Sequence, residues 1–85
     1  MKTVTIYTTR SCPYCIKAKQ LLNLKGVIYE ELRTDESAEL ADEAVKKSGG
    51  IRTVPQIFID DHHVGGCDEL CALEREGKLD HLLKA

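Results

Sequence analysis

A β-branched and aromatic run, Thr3 to Thr8, breaks at Thr9-Arg10-Ser11 and gives way at Pro13 to a helical pattern. This switch of period, from two to about 3.6, constrains the chain more than any other feature. A strand that feeds straight into a helix sets up a crossover. If another strand follows, the two strands lie parallel and the connection is right-handed. Ile16, Ala18, Leu21, Leu22 and Leu24 supply apolar positions among Lys17, Lys19 and Gln20. Pro13 suits a first helical turn, where its missing N–H has no acceptor to lose. Gly26 ends the helix.

Val27 to Leu32 reads as the second strand. Thr34-Asp35-Glu36-Ser37 is a capping segment, and its acids suit the positive end of the helix that follows. That helix runs to about Lys47 with Leu40, Ala41, Ala44 and Val45 on one face, and Gly49-Gly50 stop it. Val54 to Asp60 is a third strand entered through Pro55. Asp60-Asp61 is a turn, and His62-His63-Val64 is its short hairpin partner. Gly65-Gly66 lead into a last helix with Leu70, Leu73, Leu79, Leu82 and Leu83, which Gly77 splits. The order β-α-β-α-β-β-α predicts an α/β fold: a four-stranded mixed sheet flanked by three or more helices. With 85 residues the chain is expected to form a single domain, 1–85.

The composition excludes several classes. The net charge is -2 and acids and bases are interspersed, so no basic stripe invites nucleic acid. Without Trp, and with four Phe and Tyr in all, a base-stacking platform is not expected. The apolar runs are too short to span a membrane. Met1-Lys2-Thr3-Val4-Thr5-Ile6 lacks the apolar core of a secretory signal, so a cytoplasmic protein is expected. Four cysteines in a reducing compartment are not a structural disulfide framework. A C-x-x-C pair there reads as redox or metal chemistry.

Cys12-Pro13-Tyr14-Cys15 falls where the loop ends and the helix begins. A sulfur at that junction faces unpaired backbone N–H groups, those of Tyr14 and Cys15 being nearest. Their dipoles, with Arg10, Lys17 and Lys19 nearby, favour thiolate over thiol, so Cys12 is expected to be nucleophilic at neutral pH. Cys15, at i+3, shares its face but lies deeper in the helix. Cys12 therefore attacks and Cys15 resolves, through the mixed disulfide that exchange requires. Cys67 and Cys71 form a second pair, so zinc held by four thiolates competes on paper. It requires the pairs to meet across the fold, and no metal is expected. Cys71 is read as a small packed residue and Cys67 as oxidation-prone if exposed. His62-His63 is read as a solvated hairpin tip, since neighbours on a strand point to opposite faces.

These residues resemble the dithiol glutaredoxins, most closely the small bacterial ones. Cys12-Pro13-Tyr14-Cys15 is similar to that family's active site. Thr53-Val54-Pro55-Gln56-Ile57-Phe58-Ile59 is similar to the segment around its cis-proline, and Gly65-Gly66-Cys67-Asp68-Glu69-Leu70 to its third signature. The resemblance covers nearly the whole chain and implies a thioredoxin fold, glutathione as cosubstrate and a redox-active Cys12–Cys15 disulfide. It implies reduction of protein–glutathione mixed disulfides and protein disulfides, ribonucleotide reductase being a client of some members. Nothing in the residues encodes an oligomer, so a monomer is the default expectation.

The glutathione site carried over comprises Cys12, Tyr14, Thr53, Val54, Pro55, Gly66, Cys67 and Asp68. A cis Pro55 leaves the Val54 backbone free to pair with an extended cysteinyl peptide. Small Gly65-Gly66 and the start of the last helix suit a carboxylate, and Asp68 suits an amine. The chain departs from the family at Thr9 and Asp42, where a basic residue, or at the second an amide, often holds the glycyl carboxylate. Arg10, Arg52 or Lys46 is then expected to substitute. Two other functions compete: an iron–sulfur carrier, which Pro13 disfavours, and a thioredoxin-like electron donor. The absence of Trp before Cys12 and the Gly65-Gly66-Cys67-Asp68 element disfavour the latter.

Overall fold

The computed structural model describes residues 3–84; Met1, Lys2 and Ala85 lie outside the described residues, and with them part of the N-terminal segment read above. The elements run β1 (Val4–Thr8), α1 (Pro13–Leu24), β2 (Tyr29–Arg33), α2 (Ala38–Lys47), β3 (Gln56–Ile59), β4 (His62–Gly65), α3 (Cys67–Arg75) and α4 (Leu79–Leu83). The four strands form one sheet in the order β2-β1-β3-β4. β1 pairs parallel with β2, from Val4 opposite Tyr29 to Thr8 opposite Arg33. It pairs antiparallel with β3, Ile6 standing opposite Ile57. β3 and β4 close the sheet as an antiparallel hairpin with an irregularity at Ile57/Phe58. This is the four-stranded mixed sheet that the element order predicts, in the thioredoxin fold that the resemblance implies.

Period-two alternation sends the two faces of the sheet into two cores. Val4, Ile6, Ile57 and Ile59 pack with Ala18 and Leu22 of α1, Cys67 and Leu70 of α3, and Leu79 and Leu83 of α4. Tyr7 and Phe58 face the other way, against Ala44 of α2 and Leu32. Their rings meet edge to face, with centroids 5.8 Å apart. Helices thus cover both faces. β2, with Glu30 and Glu31 exposed, occupies an edge, where charges discourage pairing with another chain.

The second strand begins two residues later than its β-branched start suggests. The Val27 N–H donates to Leu22 O at 3.0 Å and the Gly26 N–H to Asn23 O at 3.0 Å. Those bonds close the end of α1 in a Schellman motif, with Gly26 at φ 71° supplying the left-handed residue. Val27 has spent its N–H on the cap, so it joins the core and not the ladder. The same motif at Gly77, where Lys78 N–H reaches Leu73 O at 2.9 Å, separates α3 from α4. The helical pattern of α1 also over-reads its core. Ile16 and Leu24 are 51% and 84% exposed, and Ala18 and Leu22 carry the buried face.

Two substitutions on α1 separate packing from pattern. Leu22→Ala removes a fully buried side chain and is expected to lower unfolding stability by about 2–5 kcal/mol. Leu24→Ala, at an exposed position, should stay within about 0.5 kcal/mol of the parent. Urea unfolding of both proteins measures the difference.

Candidate redox site

Cys12 is the N-cap of α1. Its backbone is extended, with φ -104° and ψ 108°, and its sulfur accepts the Cys15 N–H at 3.2 Å. A side-chain acceptor in this position normally comes from Ser, Thr, Asp or Asn. Here sulfur does the capping, and the Cys12 carbonyl accepts the Ile16 N–H at 3.1 Å to start the helix ladder. Pro13 follows at the one place in the helix where its ring is harmless. The result is a half-buried thiol at the positive end of a helix. Its second contact, at 3.6 Å, is the carbonyl of Val54, which accepts the S–H of the resting thiol.

Cys15 is different. It is 1% exposed, and burial, with Cys12 beside it, pushes its thiol up to about 12; Lys19 acts in the opposite sense. Cys15 therefore stays protonated near neutral pH, while Cys12 lies nearer the surface. Lys19 is not a free cation as read from the sequence. It pairs with Glu31 at 2.9 Å, and Glu31 also accepts the Thr8 hydroxyl at 2.7 Å. Lys19 and Thr8 hold the Glu31 carboxyl below its usual range and tie α1 to β1 and β2 beneath the site.

The Val54–Pro55 peptide bond is cis, as the resemblance implied. A strut that the sequence reading missed supports this loop. Gln56, only 2% exposed, donates from Nε2 to Thr53 O at 2.9 Å. Its Oε1 lies 2.7 Å from His63 Nε2, and His63 stacks on Phe58 with ring centroids 4.8 Å apart. His63 is thus half-buried and engaged, and only His62 fits the solvated tip. The signal was one amide in an otherwise apolar strand, Gln56 in Val54 to Ile59.

A groove of about 300 Å³ runs beside Cys12, lined by Tyr14, Thr53, Val54, Pro55, Gly66, Cys67, Asp68 and Glu69. Three separate chain segments supply its walls: Tyr14 of α1, the Thr53–Pro55 loop and the start of α3. Gly66 caps α3 without a side chain, and Glu69 takes the Gly66 N–H at 2.7 Å. That contact also explains Gly65, because a Cβ there would sit 2.7 Å from Glu69 Oε1. First-turn N–H groups of Cys67 and Asp68 have no intrahelical acceptor, which suits an anion in the groove. The spacing Gly66 to Glu69 matches half of a capping box and was readable in advance.

Every glutathione-site residue expected from the sequence except Cys12 itself lines this groove, and Cys12 touches its Val54 wall. The two arginines do not line it. Arg52 is exposed in an adjacent cleft that shares Thr53 and Val54 and also contains Asp42. Arg10 is exposed, and its backbone N–H reaches Asp35 at 3.3 Å. Asp35 is itself held by Arg33 at 2.7 Å. Lys46 lies with Asp42 on the acidic face of α2. Among the described residues no three His, Cys, Asp or Glu side chains gather as a metal site, so the two cysteine pairs do not meet.

Comparisons with known proteins agree with this geometry. The family model described as Glutaredoxin matches residues 4–64. The chain is 59% identical to Glutaredoxin of Pseudomonas aeruginosa over 85 residues, covering 100% of both chains. The solution structure of a glutaredoxin from Brucella melitensis superposes with a TM-score of 0.86 at 54% identity, covering 99% of this chain and 90% of that one. The crystal structure of a buckwheat glutaredoxin–glutathione complex superposes with a TM-score of 0.85 at 30% identity, covering 94% and 74%. Among the described residues no helix is long and apolar enough to cross a membrane.

The unequal thiols predict the order of alkylation. Iodoacetamide at pH 7, followed by peptide mass mapping, should label Cys12 well before Cys15 and Cys67, whose thiols burial pushes up to about 12 and about 11. Labelling of Cys15 should then rise about tenfold per pH unit as its thiolate fraction grows. Early labelling of Cys15 at pH 7 would contradict the assignment.

Proposed function

The chain belongs to the glutaredoxin family and is a thiol–disulfide oxidoreductase; from that premise we propose that it reduces protein–glutathione mixed disulfides and protein disulfides with glutathione as cosubstrate. The observation that carries the reading is the unequal pair at the start of α1. The Cys12 sulfur accepts the Cys15 N–H at the edge of a groove, and Cys15 is buried and protonated behind it.

In the first step the Cys12 thiolate attacks the glutathione sulfur of a mixed disulfide. The S–S bond between client and glutathione breaks, the client sulfur leaves as a thiolate that takes up a proton, and Cys12 is left disulfide-bonded to glutathione. A second glutathione thiolate then attacks the glutathionyl sulfur, releasing oxidised glutathione and Cys12. Alternatively Cys15 loses its proton and attacks Cys12, giving the intramolecular disulfide and free glutathione. A protein disulfide uses the second ending, with Cys15 expelling the client. The Cys15 N–H bond to sulfur strengthens as Cys12 gains charge, whereas the Val54 carbonyl suits only the thiol. Release of Val54 O frees it for an incoming peptide N–H.

The lining of the groove supports glutathione as the cosubstrate. The cysteinyl backbone of glutathione pairs with Val54 as an added strand. Its γ-glutamyl carboxylate docks at the N–H groups of Cys67 and Asp68, and the Asp68 carboxylate takes the amine. Tyr14, Thr53, Pro55 and Gly66 form walls. Arg52, from the adjacent cleft, is the best-placed cation for the glycyl carboxylate, with Arg10 the alternative. The chain acts as a monomer in the cytoplasm, where the glutathione pool keeps its thiols reduced. Ribonucleotide reductase is one client that the family resemblance offers.

Glutathione-dependent reduction of a small mixed disulfide tests this directly. Cys12→Ser should fall to background. Cys15→Ser should keep the glutathione-resolved route but lose reduction of protein disulfides. Asp68→Asn should raise the KM for glutathione about tenfold, the loss of one charge-assisted hydrogen bond. Formation of the intramolecular disulfide should accelerate with pH, because Cys15 has to lose its proton. A wild-type protein indifferent to glutathione would overturn the reading.

A further inference from the structure

Thr53 is exposed at the groove, yet its carbonyl is not free. It accepts the Gln56 Nε2–H at 2.9 Å, from a side chain only 2% exposed. A carbonyl oxygen can only accept, so the end of the amide facing Thr53 is its NH2 group and the other end is Oε1. His63 Nε2 lies 2.7 Å from that Oε1 and is therefore the donor of the second bond. Stacking on Phe58, with ring centroids 4.8 Å apart, sets the plane of the His63 ring. An amide that has two possible senses is thus fixed in one, by a hydrogen bond at each end.

The consequence reaches the groove through one peptide plane. The Thr53–Val54 peptide is trans, Val54–Pro55 being the cis bond. The Thr53 carbonyl and the Val54 N–H belong to that planar unit and point opposite ways across it. Holding the carbonyl on Gln56 therefore fixes the direction of the Val54 N–H. Pro55 has no N–H to offer. Val54 lines the groove, and its carbonyl lies 3.6 Å from the Cys12 sulfur. Its N–H is thus the donor next to the nucleophile, and a strand added to Val54 needs that donor correctly aimed. Attack on sulfur requires reacting atoms about 3–3.5 Å apart, so a tilt of the plane that holds the substrate lowers the rate.

We propose, resting on the glutathione reading above, that Gln56 oriented by His63 is a positioning residue: it aims the Val54 N–H at the main-chain carbonyl of the cysteinyl residue under attack. The pair then favours disulfides flanked by a peptide main chain. The test uses single turnovers of Cys15→Ser protein with two disulfides, a glutathionylated peptide and bis(2-hydroxyethyl) disulfide, which has no main chain to pair. Each reaction forms a mixed disulfide on Cys12 and releases one thiol. Gln56→Met, close in length but without a donor, is expected to slow the reaction with the glutathionylated peptide about tenfold, the loss of one hydrogen bond. Its reaction with bis(2-hydroxyethyl) disulfide should be unchanged. His63→Phe keeps the stacked ring and loses the donor; it should show the same selective loss, smaller in size, and serves if Gln56→Met fails to fold. Equal losses with both disulfides overturn the proposal, since the pair then only supports the fold, and so does no loss with either. A parent protein that reacts no faster with the glutathionylated peptide than with bis(2-hydroxyethyl) disulfide overturns the glutathione reading itself, and this proposal with it.

Discussion

The 3.2 Å hydrogen bond from the Cys15 N–H to the Cys12 sulfur is the interaction on which the site depends. It makes one residue both the cap of α1 and the attacking group. A helix start always leaves N–H groups in need of an acceptor. In this chain the acceptor is a sulfur, so local folding and chemistry are satisfied by the same contact. Pro13 reinforces the arrangement by starting the helix immediately after Cys12. β1 then holds the junction, because it lies inside the sheet with β2 on one side and β3 on the other.

A nucleophile at a helix start is not yet a selective enzyme. Selectivity requires a second surface, and this one is assembled from distant parts of the chain. The Thr53–Pro55 loop is braced by Gln56 and His63, which link it to the β3–β4 hairpin. The start of α3 is braced by Glu69 on Gly66. Both braces are side-chain hydrogen bonds to backbone or to a partner held by stacking. They keep the groove walls in place without occupying the groove. Burial does the remaining work, raising the Cys15 thiol so that the two cysteines of one motif differ in reactivity.

Much of this was legible in the residues. The change of period after Thr8, the capping segment Thr34-Asp35-Glu36-Ser37 and the turn at Asp60-Asp61 placed the elements, and the position of Cys12-Pro13-Tyr14-Cys15 placed the chemistry. The misses have physical causes. Val27 reads as a strand residue by propensity, yet its N–H bonds to Leu22 O, five residues back, in the cap of α1. Ile16 and Leu24 fit a helical stripe, but α1 turns only a narrow face inward around Ala18 and Leu22. Lys19 reads as a free charge until Glu31 is brought to it from β2. His63 looked solvated because its partners, Gln56 and Phe58, sit across the hairpin. Apart from the local cap at Val27, the contacts that escaped the sequence reading are made between elements.

The central claim is that Cys12 alone of the four cysteines makes the first covalent bond. The most direct measurement is to react Cys15→Ser protein with a glutathionylated peptide at neutral pH, quench with acid, and locate the adduct by peptide mass mapping. Removing Cys15 blocks intramolecular resolution, so the first intermediate accumulates. The account predicts one glutathione per chain, on Cys12, with the peptide released as a thiol. An adduct on Cys67 or Cys71, or the peptide retained on Cys12 in place of glutathione, would contradict it.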